Sequence, residues 1–123
     1  MKPFYITTTL PYVNADPHIG HAMEFIRADV IARFWRGEGR EVFFNTGTDE
    51  HGQKIWEGAQ KEGLTPKEYA DKYSSRFKEF CQMTNISYDG FLRTTEDRHV
   101  AAAQKMWNIC LEKGDIYQAK QTI

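Results

Sequence analysis

The stretch FYITTTLPYVNADPHIGHAMEFIRADVIARFWRGEGREVFF, residues 4–44, decides the fold. Its opening, Phe4-Tyr5-Ile6-Thr7-Thr8-Thr9-Leu10, is aromatic and β-branched and is bounded by Pro3 and Pro11. That composition predicts a strand over 4–10, buried on at least one face. Pro11 to Pro17, with Asn14 and Asp16, reads as a loop. From His18 to about Trp35 the period changes to helical: Met23, Ile26, Val30 and Phe34 recur at three- and four-residue steps, and Ala22, Phe25 and Ile31 widen the stripe. Asp16 before Pro17 suits an N-cap followed by proline in the first turn, and Gly37 and Gly39 suit the helix end. Val42-Phe43-Phe44 predicts a second, short strand. Strand, helix, strand is a βαβ unit, so parallel strands and a right-handed crossover are expected, and with them an α/β fold.

Beyond Phe44 the pattern is mainly helical. A polar loop, Thr46-Gly47-Thr48-Asp49-Glu50-His51-Gly52, leads into a helix over 53–62 stopped by Gly63. Thr65-Pro66-Lys67-Glu68 is a capping box with proline at its first helical position, and it opens a helix whose stripe is Tyr69, Tyr73, Phe77 and Phe80. An extended piece over 88–93 follows Asn85-Ile86-Ser87. A last helix is expected over 95–113, with Val100, Ala103, Met106, Trp107 and Leu111 inside and Gly114 as its stop. Ile116-Tyr117 would begin a further strand. The Met and aromatic stripes read as core, and Cys81 and Cys110, on or beside them, as buried apolar residues.

With 123 residues the chain is one domain or a piece of one. Hydrophobic residues at 41% and aromatics at 14% exclude a disordered chain. The formal net charge of −1 gives no general polyanion-binding surface. Two cysteines far apart make neither a zinc knuckle nor a disulfide framework, and the expected compartment is the reducing cytoplasm. No apolar run is long enough to span a membrane, and the threonines and Pro11 argue against reading the start as a signal peptide.

Two segments have the residue types for chemistry. In His18-Ile19-Gly20-His21, two histidines three apart share a face at a helix start, where N–H groups lack partners and the helix carries partial positive charge. Gly20 gives a ligand close approach to the backbone. Helix N–H groups, imidazole donors and an uncovered backbone suit a polyphosphate. Taken alone, two histidines at this spacing are more often capping or surface residues. As a zinc site it would need a third ligand from Asp49, Glu50 or His51, so no metal site is expected in this chain. The second segment is Asp49-Glu50-His51, just past a strand's carboxyl end, where open α/β sheets bind ligands. A carboxylate there suits an ammonium group, and in isolation it is also what a solvated acidic loop looks like. Gly37-Glu38-Gly39 is no dinucleotide fingerprint, because it precedes a strand and lacks the third glycine.

Three ordered motifs carry a resemblance. Leu10-Pro11-Tyr12-Val13-Asn14, then Pro17-His18-Ile19-Gly20-His21, then Gly47-Thr48-Asp49-Glu50-His51-Gly52 resemble class I aminoacyl-tRNA synthetases. The third motif, and Asn85-Ile86-Ser87-Tyr88-Asp89 after it, resemble the methionyl-tRNA synthetases in particular, and the likeness runs over essentially the whole chain. It implies the N-terminal half of a Rossmann-like nucleotide-binding fold, with a parallel sheet and flanking helices. It also implies a methionine–tRNA ligase that activates L-methionine with ATP to methionyl-adenylate and then loads tRNA(Met). In that family's terms His18 and His21 hold the ATP phosphates and stabilise the transition state. Gly20 and Glu24 complete the ATP site. Leu10, through its backbone, and Asp49 hold the methionine ammonium, Tyr12 closes over the side chain, and Asn14 and His51 shape the pocket. Mg²⁺ arrives with ATP; zinc belongs to parts of the family outside these residues.

The chain also departs from the family pattern. It has no Lys-Met-Ser-Lys-Ser run, no zinc knuckle of the connective region, no second half of the nucleotide fold and no anticodon-binding domain. The expectation is an N-terminal part of the catalytic domain, 1–123, weak or inactive alone. Its exposed apolar edge would be covered by the rest of the protein or by another chain. Two other readings stand beside this one: a small nucleotidyltransferase that uses His-Ile-Gly-His, and a truncated fragment without catalysis.

Overall fold

The computed structural model describes residues 2–120. Three parallel strands form one sheet in the order β1 (Phe4–Thr7), β2 (Val42–Thr48), β3 (Gly90–Arg93). The helices are α1 (Ile19–Gly37), α2 (Gln53–Glu62), α3 (Pro66–Met83) and α4 (Asp97–Glu112). The βαβ unit read from residues 4–44 is present: β1 pairs with β2 in parallel, Phe4 opposite Val42 and Thr7 opposite Asn45, with α1 between them.

The main core lies where α1 and α3 meet one face of the sheet. Phe25, Ala28 and Ala32 of α1 pack with Phe44, Cys81 and Ile86, and with the partly buried Ile6, Val42, Phe80, Tyr88 and Phe91. Phe44, Thr46 and Thr48 alternate onto that face and are fully buried. A second cluster, Val13, Ile55, Ala59, Tyr69 and Ala70, joins the loop after β1 to α2 and α3. Val13 is fully buried, so it anchors the loop that carries its exposed neighbours Tyr12 and Asn14.

Several sequence expectations are corrected. The first strand ends at Thr7, not Leu10, although Thr8 still donates its N–H to the Asn45 carbonyl. The second strand runs to Thr48, so Thr46-Gly47-Thr48 is strand and not loop. There β2 and β3 approach so closely that a Cβ on Gly47 would stand 1.8 Å from the Leu92 carbonyl oxygen. The α1 face that packs is Phe25, Ala28, Asp29 and Ala32; Met23, Ile26, Val30, Ile31 and Phe34 are exposed. No residue of α4 is buried, and Val100, Met106, Trp107 and Leu111 face solvent. The sequence marks these stripes as apolar but carries no information on which has a partner among these residues. Cys81 is buried as expected, whereas Cys110 is only partly so. Ile116 and Tyr117 form no strand. The helix over 53–62, Gly63 as its left-handed cap and the Thr65–Glu68 capping box are as read.

Candidate active site at the carboxyl edge of the sheet

The loops after β1 and β2 lie at the carboxyl ends of neighbouring parallel strands. They are stitched together by backbone: Tyr12 and Asp49 form a parallel bridge, Asp49 N–H donates to Pro11 O at 2.9 Å, and Val13 N–H donates to Asp49 O at 3.2 Å. Asp49, half-buried, is thereby fixed beside the Leu10–Pro11 backbone and next to Tyr12, which is 57% exposed. Three residues assigned to one pocket by resemblance are brought together by main-chain bonds alone.

Asp16 is not the N-cap of α1; it pairs with Arg76 of α3 instead. The cap is His18, in extended conformation, because its Nδ1 reaches the Gly20 N–H at 3.1 Å. His21 Nδ1 in turn accepts the His18 N–H at 3.2 Å, the reciprocal arrangement of a capping box. The rings stack at 3.8 Å between centroids, and the edge of Phe77 meets His21 at 5.1 Å. Two of the helix-start N–H groups expected to be open are therefore already held by imidazoles. In a neutral ring whose Nδ1 accepts, the proton sits on Nε2 and is left to donate. Partial burial holds the His21 pKa below its ordinary 6.5, positive charge on the neighbouring His18 would push the same way, and Glu24 opposes both. A Cβ on Gly20 would lie 2.8 Å from His18 Cε1, so glycine is what lets this ring fold over the helix start.

Glu24 accepts the Thr9 N–H at 2.6 Å and the Thr9 hydroxyl at 2.9 Å, tying the loop after β1 to α1. Asn14 is exposed and accepts the Tyr69 hydroxyl through its carbonyl at 3.3 Å. His51 Nε2 lies 3.2 Å from Thr94 O and donates to it. Tyr12, His51, Gly52, Gln53, Lys54 and Glu57 line a cavity of about 530 Å³. The histidine pair and Asp49 stand on separate loops and share no direct hydrogen bond among the described residues.

Sequence reasoning missed the supports beneath this edge. Glu50 is buried and accepts from Thr48 Oγ1 at 2.7 Å, from Arg93 Nε at 2.6 Å and Nη2 at 3.0 Å, and from Thr95 Oγ1. Burial works against its charge, but the hydrogen bonds from Arg93, Thr95 and Thr48 outweigh it and hold the carboxyl below its ordinary pKa. Arg93 also faces Asp71 Oδ1 at 2.6 Å, an ion pair without hydrogen-bond geometry. Thr8 and Thr46 share a buried hydroxyl contact at 2.6 Å under the first loop. No local pattern announces these partners, which lie some forty residues apart in sequence. Among the described residues no three His, Cys, Asp or Glu side chains gather as a metal site needs, and no helix is long and apolar enough to cross a membrane.

The chain is 53% identical over 117 residues to a methionine–tRNA ligase of Rhizobium meliloti (strain 1021), covering 95% of the chain and 23% of that relative. It is 49% identical, with the same coverage, to the enzyme of that name from Brucella suis biovar 1 (strain 1330). Mycobacterium tuberculosis methionyl-tRNA synthetase, solved in complex with methionyl-adenylate, superposes with a TM-score of 0.93 at 44% identity, over 95% of this chain and 23% of that one. The chain thus spans about a quarter of the length of these relatives. The family model described as "tRNA synthetases class I (M)" matches residues 4–123, and the chain belongs to that family.

Proposed function

We propose that this chain, 1–123, is the N-terminal part of the catalytic domain of a methionine–tRNA ligase working in the cytoplasm. It would supply the ATP- and methionine-binding loops for making methionyl-adenylate, which the whole protein then uses to charge tRNA(Met). The observation that carries the proposal is the pairing of two Nε2–H imidazoles at the α1 start with an Asp49–Tyr12 bridge on the adjoining strand end.

The chemistry asks little of a general base. The attacking methionine carboxylate is already ionised at pH 7, so catalysis is positioning plus stabilisation of charge on the α-phosphoryl group. His18 and His21 donate Nε2–H bonds to the phosphates, and their Nδ1 caps keep the rings aimed. Glu24, through Thr9, sets the loop whose Leu10 backbone, with Asp49 of the neighbouring loop, receives the ammonium; with Gly20 it borders the nucleotide. Tyr12 covers the methionine side chain, and Asn14 and His51 form the pocket wall. Mg²⁺ comes on the triphosphate as part of the substrate. The lysines of a Lys-Met-Ser-Lys-Ser loop, which would meet the pyrophosphate, are not in this sequence. The rest of the domain would bring them and cover the bare apolar faces.

ATP–pyrophosphate exchange tests this. The full-length protein should exchange only with methionine present, and the isolated chain should not exchange measurably. Exchange driven by a different acid would reject the proposal.

A further inference from the structure

Thr94, buried at the end of β3, touches three consecutive residues of the Asp49–Glu50–His51 loop. Its hydroxyl accepts the Glu50 N–H at 2.8 Å. Its carbonyl takes the His51 Nε2–H at 3.2 Å, and its own N–H donates to Thr48 O at 3.2 Å. The hydroxyl has one proton to give, and the acceptor it faces is Asp49 Oδ1 at 3.5 Å. The residues on either side, Arg93 and Thr95, both grip the buried Glu50 carboxylate. The turn from β3 into α4 therefore holds the loop by its backbone and through Glu50, and sets a hydroxyl beside the Asp49 carboxylate at a longer 3.5 Å.

We propose that Thr94 is a positioning residue: it orients the Asp49 carboxylate toward the substrate ammonium. The inference rests on the reading of Asp49 as the ammonium acceptor. A half-buried carboxylate still samples several rotamers, and a hydroxyl beside Oδ1 favours the one that leaves Oδ2 free. Freezing that rotamer before binding removes an ordering cost from the bound state. Thr94 touches no substrate, so its effect is confined to the amine end of the ligand.

The test compares L-methionine with its desamino analogue, 4-methylthiobutanoic acid, by calorimetry on the full-length protein. The readout is the ratio of the two affinities. Thr94→Val, which keeps the shape and removes the hydroxyl, should shrink the wild-type ratio about threefold, the lower end of a hydrogen bond's net contribution. Thr94→Ser should keep it. Thr94→Ala leaves room for a water on the orphaned Glu50 N–H and carries the same comparison should the valine protein not fold. An unchanged ratio in Thr94→Val or Thr94→Ala, with Asp49→Ala collapsing it, overturns the positioning role. So does an equal loss of both ligands, which marks a merely structural residue. A wild-type protein that does not distinguish the two ligands overturns the reading of Asp49 itself.

Discussion

At the scale of single residues, the histidine pair has two jobs that its spacing makes compatible. Each imidazole spends Nδ1 on the helix start and keeps Nε2–H for a ligand. Replacing His21 with alanine in the full-length protein should lower the adenylation rate about 10²–10³-fold, as losing one oxyanion donor does. Binding of methionine and ATP should change far less; single-turnover kinetics beside calorimetry separate the two. A pure affinity defect would count against a transition-state role. Asp49→Ala removes an acceptor that, of the two substrates, only the amino acid meets. Methionine affinity should fall tenfold or more, on the order of the 1.5–3 kcal/mol of a charged hydrogen bond, with ATP affinity unchanged. Equal loss of both would show that Asp49 holds the loop rather than the ligand.

At the scale of elements, the fold depends on close approaches and on one buried clamp. Gly47 sits where β2 meets β3 with no room for a side chain. Gly47→Ala must push the strands apart at the foot of the Asp49 loop. The expected cost is above about 4 kcal/mol, enough to abolish a cooperative denaturant transition. The clamp joins α1 to the Asn85–Asp89 segment. Asp29 accepts the Ser87 N–H at 2.7 Å and the Ser87 hydroxyl at 2.5 Å, and pairs with Arg33 at 2.6 Å. Arg36 reaches Ser87 and Asp89, and Asp89 accepts the Phe44 N–H of β2. Burial raises the Asp29 pKa, but the Ser87 and Arg33 bonds win and leave it below the ordinary 3.8. A carboxyl depressed in the folded state lends stability that is complete well above its unfolded pKa and is lost as pH falls through the folded value. Glu50 acts in the same sense, and so does His21, whose lowered pKa favours the fold above its ordinary 6.5. The melting temperature should therefore drop between pH 7 and pH 3, most steeply below pH 4.5. Asp29→Asn should melt lower at pH 7 and flatten the acid limb. A melting curve insensitive to pH would refute the clamp.

At the scale of the whole molecule, the sheet is half dressed. Parallel sheets are normally covered on both faces. Here α1 and α3 share the Phe44 side, while Tyr5 and Phe43 stack at 5.9 Å on the other, 62% and 50% exposed. The outer stripe of α1 is equally bare, Met23 through Phe34. An apolar area of this extent is a contact surface. The isolated chain should bind a hydrophobic dye and self-associate at micromolar concentration, and Phe43→Ser with Val30→Ser should reduce both without lowering its melting temperature. In the full-length protein the same pair should destabilise by several kcal/mol, because there the sites would be core. Equal behaviour in both settings would mean the faces stay exposed.

The sequence by itself determined what depends on neighbours along the chain. The βαβ unit of residues 4–44, the Gly63 stop, the Thr65–Glu68 box and the ordered motifs were legible because periodicity, caps and turn chemistry act over four or five residues. Even there a local rule misled, since Asp16 had cap chemistry but found Arg76 across the fold, and His18 took the cap. Only the tertiary structure decided which apolar stripe was buried, where β2 ended, and that Glu50, Arg93 and Thr94 underpin the Asp49 loop. Those outcomes turn on contacts between segments far apart in sequence, whose energies depend on three-dimensional proximity and leave no local mark on the residues that make them.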